Sequence, residues 1–441
     1  MISNRLKTGI VLLMTGLVIL INVTAKVSAT EGDSYGTLLV ADSLVRFGKF
    51  SLENYPREIL DRYGPRISQT QGLPFYYFPL GSSILSVPLV GMARLLGVDV
   101  LSEDAILQRI MASMSSVLTL LLMLRIGYRW RDDWAAWLVP GLFWFGTVLS
   151  VSTGTALESH DFAIVFALLA IDRVLGMGEE QSIKVWGGVG CALFLAYLTR
   201  PTFALLSPFL LIWLFTLSRP VALKAGLVVF ALLVCFVLFS LKIYGQPLPD
   251  YYIPKRLSGG DFRLALIGNL ISPARGLLVF SSFIALVWLF PKQAIIQRGR
   301  GWLLVAIVWP IAHWIVVSRF PHWWGGHSYG PRLMIDCFPG LLLLILSRWP
   351  SLSMVMTNQI RSAVLVLSIG FSVFVNTWQG MFNLYTAHWS NAPDIDAYPE
   401  YLFDWTCPIF MANKKGLLIR ALTFKQKYHK DAWLDTRPKS Q

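Results

Sequence analysis

Along most of this chain, long runs of apolar residues alternate with short polar joints. An α-helix needs about 20 residues to cross the hydrocarbon core, and a run somewhat shorter does so by borrowing its flanks. Runs of that kind fall at 8–27, 106–127, 134–151, 162–176, 185–198, 202–217, 225–244, 277–290, 302–317, 333–346 and 363–378. The pattern predicts eleven spans, arranged as a transmembrane domain over 1–378 and a polar tail over 379–441. The first run follows Arg5 and Lys7, and Val27-Ser28-Ala29 also resembles a small-residue cleavage site, so a signal peptide is the alternative to a span. Either way the basic start holds the N-terminus inside and sends the next residues outside.

Residues 30–104 form the longest stretch without a clean spanning run, and so the first outer loop. Within it, Ser34 to Phe47 has helical apolar spacing and Gly48 as a stop. A second apolar stretch, Phe78 to Leu96, carries Pro79, Pro88 and Arg94, which favour an interfacial or re-entrant helix over a span. The fold class is therefore an all-α polytopic membrane protein with interfacial helices in its first outer loop.

Composition agrees. The chain has 441 residues, is 55% hydrophobic and only 14% charged, with a mean hydropathy of +0.57, which excludes a soluble multidomain protein. A net charge of +13 is scattered singly between the runs rather than gathered into a nucleic-acid-binding patch. The basic joints (Arg129 and Arg131, Arg173 and Lys184, Arg219 and Lys224, Lys292, Arg298 and Arg300, Arg348 and Arg361) all fall on the side that the count makes cytoplasmic. An odd number of spans puts the tail outside, although Lys414, Lys415, Lys425, Lys427 and Lys430 would suit a cytoplasmic leaflet. Cys191, Cys235 and Cys337 lie in apolar runs and Cys407 in the tail, so neither a disulfide framework nor a CxxC metal site is available.

Candidate chemistry lies at the outer ends. Trp323 to Asp336 combines three glycines, two tryptophans and Tyr329 with His327, Arg332 and Asp336. Its plain alternative is an interfacial turn with tryptophans at headgroup depth. Arg109, Arg200, Arg275 and Arg332 mark outer helix ends against the positive-inside bias. In Arg200-Pro201, Pro273-Ala274-Arg275 and Pro331-Arg332 a proline reads as a helix start, so free N–H groups and a guanidinium would together favour a phosphate. For any one of them, snorkelling to headgroups is the alternative. Glu158 and Asp161 flank His160 at the start of the fourth run, and no HxH or HExxH spacing supports metal ligation. Glu31-Gly32-Asp33-Ser34-Tyr35 follows the first run; its carboxylates suit either a general base or the cap of the next helix.

Taken together, these stretches resemble the GT-C fold membrane glycosyltransferases that use a polyprenyl-phosphate sugar, the family 39-like group containing protein O-mannosyltransferases and lipid A aminoarabinose transferases. The ordered set is Glu31 and Asp33, Tyr77-Phe78-Pro79-Leu80-Gly81, Leu157-Glu158-Ser159-His160, Arg200-Pro201-Thr202, Ser272-Pro273-Ala274-Arg275-Gly276-Leu277, Trp324-Gly325-Gly326 through Tyr329-Gly330-Pro331-Arg332, and Phe403-Asp404-Trp405. The family's acid after the first span is an Asp-Glu pair or a single Asp, whereas here a glycine separates Glu31 from Asp33. The resemblance implies transfer from a polyprenyl-phosphate sugar to a glycolipid, glycan or protein hydroxyl, with inversion, at the extracytoplasmic face of the plasma (bacterial inner) membrane. It implies Asp33 or Glu31 as catalytic acid-base residue, and Tyr35, Glu158, His160, Arg200, Arg275, His327, Tyr329, Arg332 and Asp336 around the substrates. No cofactor, metal or nucleic acid is expected. Position favours Asp33 over Glu31 as the base, since its shorter side chain is more readily held rigid. The competing class is a polyprenyl-linked lipid or glycan flippase, which would need ionisable residues near the midplane; Asp336 serves either reading.

Overall fold

The computed structural model describes residues 4–30, 32–178, 182–257, 259–291 and 300–428. Glu31, Lys292, Arg298 and Lys430 lie outside the described residues.

Helix α1 (Asn4–Thr24) is followed by an outer loop that folds on itself. Its first helix, α2 (Thr37–Phe47), begins at Gly36 and ends at Gly48, which takes φ 65° as a left-handed stop. No side chain caps α2 at its start, so Asp33 is not the cap that the sequence allowed for. A β-hairpin that the apolar pattern missed joins β1 (Ile67–Thr70) to β2 (Leu73–Tyr76) through Gln71 and Gly72, both at positive φ as a tight two-residue turn requires. Helix α3 (Gly81–Leu95) then packs on α2, where Arg94 donates to both carboxylate oxygens of the fully buried Asp42 at 2.7 and 2.9 Å.

The bundle continues with α4 (Asp104–Trp130), α5 (Ala135–Phe145), α6 (Leu149–Gly154), α7 (Ser159–Leu175), α8 (Ile183–Thr199), α9 (Leu206–Leu217), α10 (Arg219–Tyr244), α11 (Phe262–Ile271), α12 (Trp309–Val317), α13 (Phe338–Arg348) and α14 (Gln359–Val373). Among the described residues four helical stretches are long and apolar enough to cross a membrane: Arg5–Thr24, Asp104–Trp130, Arg219–Tyr244 and Gln359–Phe382. Two of the expected spans are interrupted. The run at 134–151 breaks between α5 and α6, and the run at 277–290 is made of short pieces, Leu277–Phe280, Phe283–Leu286 and Val287–Leu289, with non-helical backbone at Ser281.

Two ends of the bundle can be told apart by contacts. At one, Arg131 donates to the carbonyls of Leu346 and Trp349, Arg348 donates to that of Phe290, and Arg125 and Arg129 pair with Asp172. At the other, Gln108 in the first turns of α4 donates to the Thr30 carbonyl, and Lys26 and Val27 donate their N–H groups to Met381. Helix α4 alone separates the two ends by about 40 Å. The tail therefore leaves the bundle beside the exit of α1. It packs there, Ser272 donating to the Leu402 carbonyl and Arg420, on the last helix α15 (Lys414–Tyr428), stacking over Trp389.

Candidate active site

Asp33 reaches the site because three donors hold the backbone around it. Gln108, wholly buried, donates to Thr30 at 3.1 Å; Arg66 donates to the Gly32 carbonyl at 2.7 Å; Tyr76 Oη donates to the Asp33 carbonyl at 2.6 Å. Gln108 Oε1 also accepts from the Leu157 N–H, which ties the Asp33 loop to the start of α7. There the Asp161 carboxylate accepts from the Glu158 N–H and fixes Glu158 at the helix entry. Arg66, Tyr76 and Gln108 escaped the sequence reading, since a glutamine in an apolar helix and a tyrosine in a loop carry no distinguishing pattern.

Arg332 closes the centre. Its Nη2 donates to Asp33 Oδ2 at 2.8 Å and to Glu158 Oε2 at 2.7 Å, joining residues 299 and 174 positions away in sequence. The Glu158 side chain is 5% exposed and that of Asp33 50%, so one carboxylate is sealed in and the other open to an incoming molecule. Burial pulls the Asp33 carboxyl upward, but the Arg332 guanidinium, helped by Arg200 and His160, outweighs it and holds Asp33 below its ordinary range. Arg332 Nε is buried without a partner, so the guanidinium keeps an uncommitted donor.

Behind this centre Asp336 is a hub. His160 Nδ1 donates to it at 2.5 Å, Arg200 Nε at 2.6 Å and Thr202 Oγ1 at 2.6 Å, while Arg200 Nη1 donates to Ser159. Pro201 opens the turn that carries Thr202 into place, as the Arg-Pro pattern predicted. Asp336 is fully buried, and its charge is balanced by these partners within the bundle.

The remaining expected residues separate. Arg275 is 1% exposed, and its guanidinium donates to the carbonyls of Ala274, Trp324 and Gly326 at 2.9, 2.7 and 2.9 Å. It grips the loop and does not join the Asp33–Arg332 centre. Gly325 and Gly326 at φ 72° and 66° give that loop its left-handed course. Tyr329 is buried against Phe280 and donates to the Val375 carbonyl. Trp323 and Trp324 are buried too, which replaces the headgroup-depth alternative with packing. Tyr35 stacks on Tyr63 at the rim, with Arg66 over its ring. His327 stands apart with Asp394 and Asp396, 2.9 and 3.5 Å from its Nε2, an exposed set whose donor types could hold a metal ion. Gly81, in the Pro-Leu-Gly segment, lies so close to Thr199 that an added Cβ would come within 2.6 Å of its Cα, and this contact seats α3 against α8.

Fold and site thus define a mostly helical protein with membrane-length apolar helices and an acid–arginine centre at the mouth of the bundle. Among solved structures the chain is similar to the archaeal oligosaccharyltransferase AglB from Archaeoglobus fulgidus, determined in complex with an inhibitory peptide and a dolichol-phosphate, at a TM-score of 0.49 and 12% sequence identity. The likeness covers 89% of this chain and 59% of that one. No protein-family model matches the chain. No curated protein sequence matches it either.

Proposed function

We propose that the protein is an integral membrane glycosyltransferase that moves a sugar from a polyprenyl-phosphate donor to an acceptor hydroxyl on the extracytoplasmic side. The observation that carries this reading is Arg332 bridging a sealed carboxylate, Glu158, and an open one, Asp33, at the membrane exit of the bundle. In the reaction Asp33 takes the proton of the acceptor hydroxyl, the acceptor oxygen bonds to the anomeric carbon, and the bond from that carbon to the phosphate oxygen breaks on the opposite face. The configuration inverts, and the electron pair leaves with the polyprenyl phosphate. Charge on the phosphate grows as that bond breaks, and the positive charge of the Arg332 guanidinium meets it, with Arg200 adding positive potential from behind. Phosphate departs without needing a proton, so one base suffices, unlike the two carboxylates of glycoside hydrolysis. Engagement of Arg332 by phosphate also loosens its hold on Asp33, which raises the basicity of Asp33 when the donor is present. Glu158 keeps Arg332 in place, His160 and Asp336 keep Arg200 in place, and Arg275 acts through the loop it grips rather than on the phosphate.

The test uses purified full-length protein in lipid nanodiscs with a panel of polyprenyl-phosphate sugars and follows release of free polyprenyl phosphate. Arg332→Ala should lower donor use by about 10- to 100-fold, the worth of a charge-assisted contact. Arg332→Lys should recover part of it, because an ammonium supplies charge but not the guanidinium fork. Native donor consumption by Arg332→Ala would end this reading.

A further inference from the structure

Between α1 and α4 runs a groove of about 940 Å³ whose lining residues take no part in the steps above. Its walls are Ile19 and Val23 of α1 and Ile106, Ile110 and Met114 of α4, all left 42% to 64% exposed. Both helices are of membrane-crossing length and apolarity, so these walls face hydrocarbon. Ser28, Thr30, Arg109 and, one turn along α4, Ser113 make the polar part of the lining. That part adjoins the reaction centre, since Gln108, next to Arg109, is hydrogen-bonded to the Thr30 carbonyl three residues before Asp33. Arg109 is half-buried and, among the described residues, has no ion-pair partner.

A lone guanidinium beside a lipid-facing apolar groove is complementary to a phosphate carried on long hydrocarbon chains. Position decides which such lipid it serves. The leaving phosphate of the proposed reaction belongs to Arg332, whereas the groove leads to the backbone that carries Asp33, the base that meets the acceptor. We infer that the groove admits the acyl chains of a phosphate-bearing lipid acceptor, with Arg109 on its phosphate, so that the acceptor hydroxyl comes to Asp33 from within the bilayer. The acceptor role rests on the glycosyl-transfer reading; the lipid site does not.

The experiment places the full-length protein in nanodiscs with phosphatidic acid bearing a photoreactive diazirine in its acyl chain, beside a matched diacylglycerol probe without phosphate. Labelled positions are mapped by mass spectrometry. The phosphate probe should label residues 106–118 about tenfold more than the diacylglycerol, the preference expected of one charge-assisted contact. Arg109→Gln should abolish that preference, Arg109→Lys should retain part of it, and Met114→Trp should block labelling by filling the groove. All three lie on a lipid-facing surface, and a retained elution profile shows that the variants are folded. Excess unlabelled polyprenyl phosphate should not compete. Equal labelling by the two probes, or a preference untouched by Arg109→Gln, would mean bulk bilayer lipid and overturn the site; competition by polyprenyl phosphate would assign the groove to the donor and overturn the acceptor. If no polyprenyl-phosphate sugar is consumed while the labelling preference persists, glycosyl transfer and the acceptor role both fall and the lipid site stands.

Discussion

Replacing Asp33 with asparagine keeps the size of the side chain and removes its ability to take a proton. The stability cost follows from the geometry. The carboxylate pairs with Arg332 at 2.8 Å, yet its side chain is 50% exposed, so losing the pair should cost no more than about 1 kcal/mol. Glu158 still accepts from Arg332 at 2.7 Å, so the guanidinium is not left without a counter-charge. The start of α2 does not depend on the residue, since Gly36 precedes it, and the hydrogen bond from Tyr76 goes to the Asp33 backbone carbonyl, which asparagine retains. If Asp33 is the general base, transfer should nevertheless fall by about 10²- to 10⁴-fold, or roughly 3 to 5 kcal/mol of barrier. The assay is release of polyprenyl phosphate in nanodiscs, run beside a thermal melt of the same preparation. A folded Asp33→Asn protein turning over within a few-fold of native would refute the base assignment, because nothing in the packing around Asp33 could disguise so large a loss.

The acid limb of activity should report the same pair. Asp33 is held below its ordinary range, so the stabilisation it draws from Arg332 is complete above the unfolded carboxylate value of about 4 and disappears as pH falls through the lower folded value. Residual transfer by Arg332→Gln should lose its acid side at higher pH than native transfer does; an unshifted limb would break the link. Arg275→Ala should act on stability: three carbonyls lose their donor in a buried setting, and a loss of about 3 kcal/mol should appear as a lowered melting temperature, with donor KM in the surviving folded fraction unchanged. Asp336→Asn removes the counter-charge of a buried Arg200, which should cost about 3 to 5 kcal/mol, so poor folded yield rather than a selective kinetic defect is the expected result. Finally, a cysteine at Asp132 should react with an impermeant reagent only from the side opposite the site, given the contacts of Arg131 with Leu346 and Trp349; labelling at Asp132 and at the rim residue Tyr35 from the same side would contradict the two-ended bundle.

Much of this architecture was legible in the order of the residues. Apolar runs of bilayer length announce membrane helices because unpaired backbone groups are not tolerated in hydrocarbon, a constraint local enough to read from one window at a time. Gly48 as the stop of α2 and Pro201 as the start of a helical turn are local for the same reason: each acts through its own φ angle. Asp33, Glu158 and Arg332 were recognisable as chemically suited residues at helix ends. What the sequence could not say is which of them meet. Arg275 and Arg332 share the same proline-associated pattern, yet one is sealed onto three carbonyls, two of them 49 and 51 residues away, and the other faces two carboxylates 174 and 299 residues away. Asp336 likewise changes from an ionisable residue within a span to a satisfied hub only once His160, Arg200 and Thr202 converge on it. Local propensity depends on neighbours in sequence, whereas the charge state and freedom of a side chain depend on neighbours in space. The first was open to reading from the chain, and the second was decided by the packing of the bundle.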